Sequence, residues 1–186
     1  MTDLDLALAA SDAYKLTPMW TFNDVHAVKR GDIISFPGTV PTNLEDWLRD
    51  FDAVPDYHHL LGWCHRGFLT GGLGLYPLVK SAIDHSTILV GHSLGGALAV
   101  IIAALAMLDG IKVRTLVTLG APRCGFHTLV NVVAPIPVRQ YHDGNDPVPD
   151  VPLGYLHVRT PLIKIGHDEL DPINAHMIDK YIAAMT

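Results

Sequence analysis

The stretch Thr87–Leu108, TILVGHSLGGALAVIIAALAML, constrains the fold more than any other part of the chain. Thr87–Val90 is a short apolar run of β-favouring residues, the pattern of a strand buried on both faces. Ser93–Leu108 is too long and too apolar for a second strand and reads as a helix. A buried strand that runs straight into an apolar helix belongs to a sheet with helices packed on it. The rest of the chain keeps the alternation. Helices are predicted over Leu4–Lys15, Gly67–Ile83, Phe126–Val133 and Pro172–Met185. Strands are predicted at Val25–Val28, Asp32–Phe36, Val113–Leu119 and Pro137–Tyr141, with two more inside Tyr155–Ile165. Thr42 or Asn43 caps a short helix through Phe51, and Val54–His59 reads as loop or edge strand. The expected architecture is α/β, with a mostly parallel, doubly wound central sheet flanked by helices.

Strand and helix meet at Gly91-His92-Ser93-Leu94-Gly95, the pattern GxSxG. A sharp turn at this place exposes the serine hydroxyl above the sheet edge, and the glycines remove side chains that would collide there. The helix N-terminus offers unpaired N–H groups and partial positive charge to a developing oxyanion. With Gly and Ser each at ~7% of residues, a chance GxSxG arises in roughly one chain of this length in fifteen to twenty. The flanking strand and helix are what give the motif weight.

A serine hydroxyl attacks only when a base takes its proton. With this turn the partners follow in the order Ser, Asp or Glu, His. Asp146 opens Asp146-Pro147-Val148-Pro149, just past the predicted strand Pro137–Tyr141, where catalytic carboxylates belong. Asp143 and Asp150 share that loop and remain rivals on spacing alone. His176, early in the last predicted helix, is within reach of the sheet edge; His167, in a turn, is its main competitor, and His157 falls inside a predicted strand.

Composition removes several other functions. Hydrophobic residues make up 49% and charged residues 17% of 186, with a net charge of −6, which excludes disorder and argues against nucleic acid as a partner. Cys64 and Cys124 stand in unrelated contexts and read as two buried thiols. The eleven histidines form no metal-binding spacing, and the loop from Asp143 lacks the Gly and Glu of an EF-hand, so no metal and no cofactor are expected. The longest apolar stretch, Gly95–Leu108, is too short to span a bilayer. The N-terminus carries acids where a secretory signal carries Lys or Arg, so a cytoplasmic protein, or one released without a cleaved signal, is expected.

Taken in order, several segments resemble the class 3 lipases, the α/β-hydrolase group that includes the fungal triacylglycerol lipases. They are SFPGT with NLEDWLRDF, then CHRGF, VGHSLGGALA, LVTLGAPRCG, NDPVPDVP and AHMIDKYI, and they are spread over about Phe36–Tyr181, most of the chain. The resemblance implies a single α/β-hydrolase domain over 1–186. It implies Ser93 as nucleophile, Asp146 as orienting acid and His176 as general base. It implies an oxyanion hole from the backbone of Thr39 and Leu94, and a short lid-like segment at 40–50 in which Trp47 contacts substrate. Phe36-Pro37-Gly38-Thr39 departs from the family's F-R-G-T, since Pro37 removes a cation and a backbone donor. The lid counterpart also carries Glu45, Asp46, Arg49 and Asp50. Together with the short chain, these departures favour a soluble esterase of short or medium acyl chains over a lipase acting on emulsified fat.

The expected function is a metal-independent serine ester hydrolase, lipase or carboxylesterase, acting on a small-molecule or lipid ester with transient contact to lipid surfaces. Two other readings use the same residues: an acyltransferase or thioesterase, and a binding protein that has kept the fold without the activity.

Overall fold

The computed structural model describes residues 1–38 and 53–186. The elements in chain order are α1 (Asp3–Asp12), β1 (Trp20–Phe22), β2 (Val25–Arg30), β3 (Ile33–Phe36), β4 (Pro55–His58), β5 (Gly62–His65) and α2 (Arg66–Val79). They continue with β6 (Ile88–His92), α3 (Leu94–Leu108), β7 (Thr115–Leu119), α4 (His127–Val133), β8 (Val138–Asp143), β9 (Ile163–Ile165), α5 (Pro172–Ala175) and α6 (Ile178–Ala183).

Among the described residues, seven strands form the central sheet in the order β1-β2-β3-β6-β7-β8-β9. From β3 to β9 the neighbours are parallel, and β1-β2-β3 form an antiparallel meander on one edge. The period of two along each strand sends its side chains to two different cores. Ile88 and Val90 of β6 and Val117 and Leu119 of β7 pack with Leu6, Ala7 and Ala10 of α1 and Tyr181 of α6. Leu89 and Leu116 face the larger core, built with α2, α3 and α4. Both faces are covered, which is why the central strands read as continuous apolar runs. α3 packs on β6 and β7 of the sheet and on α2, and is buried from Gly95 through Ala106, so its sequence shows no polar face.

The glycines of α2 have a packing reason. A Cβ at Gly72 would lie 2.3 Å from Ile101 Cγ2 of α3, so this glycine lets the two helices approach. α1 begins at a capping box: Thr2 Oγ1 accepts from the Asp5 N–H, and Asp5 Oδ2 accepts from the Thr2 N–H. Such a cap contributes about 1 kcal/mol.

Three expectations change. The segment Val54–His59, expected as loop or edge strand, contains β4, which pairs with β5 in a hairpin apart from the central sheet. β1 and β5 have no strand signal in the sequence, because they are only three and four residues long. Of the two strands expected within Tyr155–Ile165 only Ile163–Ile165 is a strand, while Leu156 makes an isolated bridge to Gly125. The single closing helix is broken into α5 and α6 by Met177, whose backbone is extended at φ −66°, ψ 136°. The helix expected through Phe51 lies outside the described residues. Cys64 and Cys124 are buried and free. No helix among the described residues is long and apolar enough to cross a membrane.

Candidate active site

At the C-terminal end of β6 the chain turns at Ser93 with φ 57°, ψ −131°, and enters α3 at Leu94. Positive φ is unusual for a residue with a Cβ and costs of order 1–3 kcal/mol. The flanking glycines make the turn sterically feasible. A Cβ at Gly91 would sit 2.2 Å from the Gly95 carbonyl oxygen, and one at Gly95 would sit 2.0 Å from that of Phe36. Leu94 is the first residue of α3, at the end of a helix where the leading N–H groups have no carbonyl one turn earlier to bond.

The break after α5 puts His176 at a helix end, pointing back over the sheet edge. Its Nε2 lies 2.8 Å from Ser93 Oγ, and its Nδ1 lies 2.9 Å and 3.1 Å from Asp146 Oδ2 and Oδ1. Serine, imidazole and carboxylate come from loci 30 and 83 residues apart from the histidine and form one hydrogen-bonded line. Ser93 and His176 retain only 5% and 4% exposure, and Asp146 none. Gly120, at the end of β7 with φ +60°, leaves them room: a Cβ there would lie 2.8 Å from Asp146 Oδ2.

Burial alone would raise the Asp146 pKa. The hydrogen bond to His176 and its charge, the Tyr181 hydroxyl at 2.5 Å and the Val148 N–H at 2.9 Å outweigh that and hold the carboxyl below its ordinary value. Tyr181 is itself raised well above 10, by burial first and then by the Asp146 charge, so it stays a donor. Its hydroxyl oxygen also accepts from the Asp143 N–H, joining the two ends of the acid loop.

The rivals are elsewhere. The Asp143 side chain is buried toward Gly166, and its pKa is raised by burial and by the charges of Asp146 and Glu169. Asp150 is exposed and pairs with Arg123. His157 donates to the Pro149 carbonyl, and His167 is exposed. Thr39, Trp47 and the segment 40–50 lie outside the described residues. Among the described residues no group of three or more His, Cys, Asp or Glu is arranged to hold a metal ion.

Two contributors escaped the sequence reading. Tyr181 lies within AHMIDKYI, where nothing in the sequence marks it as a partner of Asp146. Tyr14, in the connection between α1 and β1, had no sequence signal at all: its hydroxyl reaches His92 Nδ1, 78 residues away.

The family model described as Lipase (class 3) matches residues 33–156, a span that includes Ser93 and Asp146 and ends before His176. A secreted mono- and diacylglycerol lipase of Fusarium solani is 31% identical over 140 residues, covering 67% of this chain and 41% of the relative. A lipase of Rhizomucor miehei is 31% identical over 176 residues, covering 80% and 48%. The chain thus spans about half the length of the relatives it matches. The structure of the Rhizomucor miehei triacylglyceride lipase superposes with a TM-score of 0.70 at 24% identity, over 88% of this chain and 78% of that one, and shares the fold. One expectation is corrected here. A cytoplasmic location does not stand beside a relative that is a secreted enzyme. The acidic N-terminus that prompted it is the first turn of α1, where Asp3 and Asp5 serve the helix end, so its charge reports on capping and not on compartment.

Proposed function

The chain belongs to the class 3 lipase family, and from that premise we propose that it is a serine ester hydrolase acting on carboxylic esters of lipids, acylglycerols foremost, as one domain over 1–186. The observation that carries this reading is the single imidazole of His176, bonded to Ser93 Oγ on one side and to Asp146 on the other.

In the proposed reaction His176 Nε2 takes the Ser93 proton as Oγ attacks the ester carbonyl carbon. The carbonyl π electrons move to oxygen, and the N–H groups of Leu94 and Thr39 hold that oxyanion. The intermediate collapses, the C–O bond to the alcohol breaks, and His176 returns the proton to the departing alkoxide. Water then attacks the acyl-enzyme with His176 again as base, releasing the carboxylic acid and Ser93. Asp146 fixes the imidazole with its proton on Nδ1, and its lowered pKa supports a carboxylate that stays charged through the cycle. Losing one oxyanion donor costs about 2.7–4 kcal/mol in the barrier. Substrate contact by Trp47 and transient contact of the protein with lipid surfaces belong to the same proposal.

The test is turnover of p-nitrophenyl esters of graded chain length, together with labelling by a fluorophosphonate. Ser93→Ala is expected to abolish both while the melting temperature moves by a few degrees. Turnover retained in Ser93→Ala excludes Ser93 as the nucleophile.

A further inference from the structure

Beside the serine, one further set of buried polar groups forms a continuous line. The Gly38 N–H donates to the Tyr14 hydroxyl at 2.9 Å, that hydroxyl lies 2.7 Å from His92 Nδ1, and His92 Nε2 lies 2.8 Å from the backbone carbonyl of His176. The two ends of this line are backbone groups whose roles cannot change: an N–H only donates and a carbonyl only accepts. With a neutral His92 imidazole they fix every bond between them. His92 carries its proton on Nε2 and gives it to His176 O, and the Tyr14 hydroxyl donates to Nδ1.

We infer that Tyr14 and His92 are positioning residues for the hydrolysis proposed above, tying Gly38, the residue before Thr39, to the backbone that carries His176. The inference rests on that hydrolase reading. Gly38 packs against the nucleophile itself, since a Cβ there would lie 2.8 Å from Ser93 Cβ. The line therefore passes around Ser93 and holds the chain on one side of it and the base on the other. Both bridging groups stay in the form the line needs. Burial, then the nearby His176 charge, depresses the His92 pKa to about 3, with the hydrogen bond to His176 O and the Asp146 charge opposing. Burial raises Tyr14 to about 12 against the Gly38 hydrogen bond. The groups facing His92 are Tyr14, the His176 ring at 4.8 Å, the Tyr181 ring at 5.8 Å and the Asp146 charge. Without the line, small displacements of either side of the site become available, and misplacement on the order of 1 Å costs about 100-fold in rate.

The experiment compares Tyr14→Phe, His92→Leu, His92→Gln and the double variant Tyr14→Phe/His92→Leu with the parent chain. The readouts are kcat per fluorophosphonate-titrated site, KM on a soluble ester, and melting temperature. Tyr14→Phe and His92→Leu are expected to lose ~10- to 100-fold in kcat per titrated site with KM within about threefold. His92→Gln, which keeps an N–H donor, is expected to retain more than His92→Leu. The double variant is expected to be no slower than the slower single variant, because one line is broken once. A merely structural role would lower melting temperature and the fraction of titratable sites but leave kcat per site unchanged. That result, or losses that multiply in the double variant, overturns the inference. If His92→Leu does not fold, Tyr14→Phe and His92→Gln decide by the same criterion. A parent chain that neither turns over esters nor takes up the probe fails the hydrolase reading itself, a result read on the parent and not on the variants.

Discussion

At Ser93 one residue carries opposing demands. Its φ of 57° raises Oγ toward His176 and away from ordinary backbone geometry. Such strain persists only where the surroundings enforce it, here β6 below, α3 above and the glycines on either side. Glycine visits this region freely, at a cost of about 0.5–1 kcal/mol in chain entropy against about 1–3 kcal/mol of strain relieved. Ser93→Gly is therefore expected to be inactive yet to melt at or above the wild-type temperature, by up to ~4 °C for a net gain of about 1 kcal/mol. Thermal denaturation of Ser93→Gly beside Ser93→Ala measures it; a clear fall in melting temperature for the glycine variant alone would mean that the turn stores no strain. Ser93 was legible in the sequence because its turn is local, five residues with a recognisable strand and helix attached. The choice among Asp143, Asp146 and Asp150 was legible in the family resemblance but not in the spacing. Spacing puts all three on one loop, and only the folded loop aims Asp146 at His176 while Asp143 turns toward Gly166.

Among the elements, α2 and α3 show how apolar periodicity can be right while its reason is hidden. The glycines of α2 argue against a helix on propensity, yet at Gly72 an added Cβ would run into Ile101 of α3. Gly72→Ala would improve helix propensity by up to ~1 kcal/mol and force a Cβ into Ile101, an overpacking cost of about 1–3 kcal/mol. The expected outcome is net destabilisation with ester turnover per folded molecule retained; urea denaturation checks it, and an unchanged or raised midpoint would show that the helices have slack. The last helix carries the opposite lesson. Its sequence has no proline or glycine between Asn174 and Ala184 to announce a break. The interruption at Met177 accompanies two tertiary demands: His176 must reach Ser93, and Tyr181 must reach Asp146.

Across the whole molecule, buried neutral histidines set the response to acid. His92, His142 and His157 all have lowered pKa values, each chiefly through burial. For His92, lowered to about 3, the unfolded chain takes up a proton near pH 6.5 that the folded chain refuses. The unfolded state binds more protons between those values, so stability is complete above pH 6.5 and declines as pH falls toward 3. Asp146, lowered from 3.8, adds a further loss only below that value, and Asp143, raised, works in the opposite direction. His92 alone is expected to remove about 2 kcal/mol between pH 7 and pH 5. Urea unfolding at the two pH values reads this directly, and equal free energies would contradict neutral buried histidines in the fold.

The sequence by itself determined the α/β architecture, the parallel centre of the sheet and the serine turn. Each rests on interactions between near neighbours: strand periodicity, helix length, and glycines beside a serine. Spacing left the carboxylate and the histidine open; the family resemblance implied Asp146 and His176, and the tertiary structure brings those two to the serine. The tertiary structure alone decided where the closing helix breaks and that Tyr14 and Tyr181 reach the site. Those outcomes depend on how distant segments cross over one sheet edge, and residue spacing along a chain holds no record of that crossing.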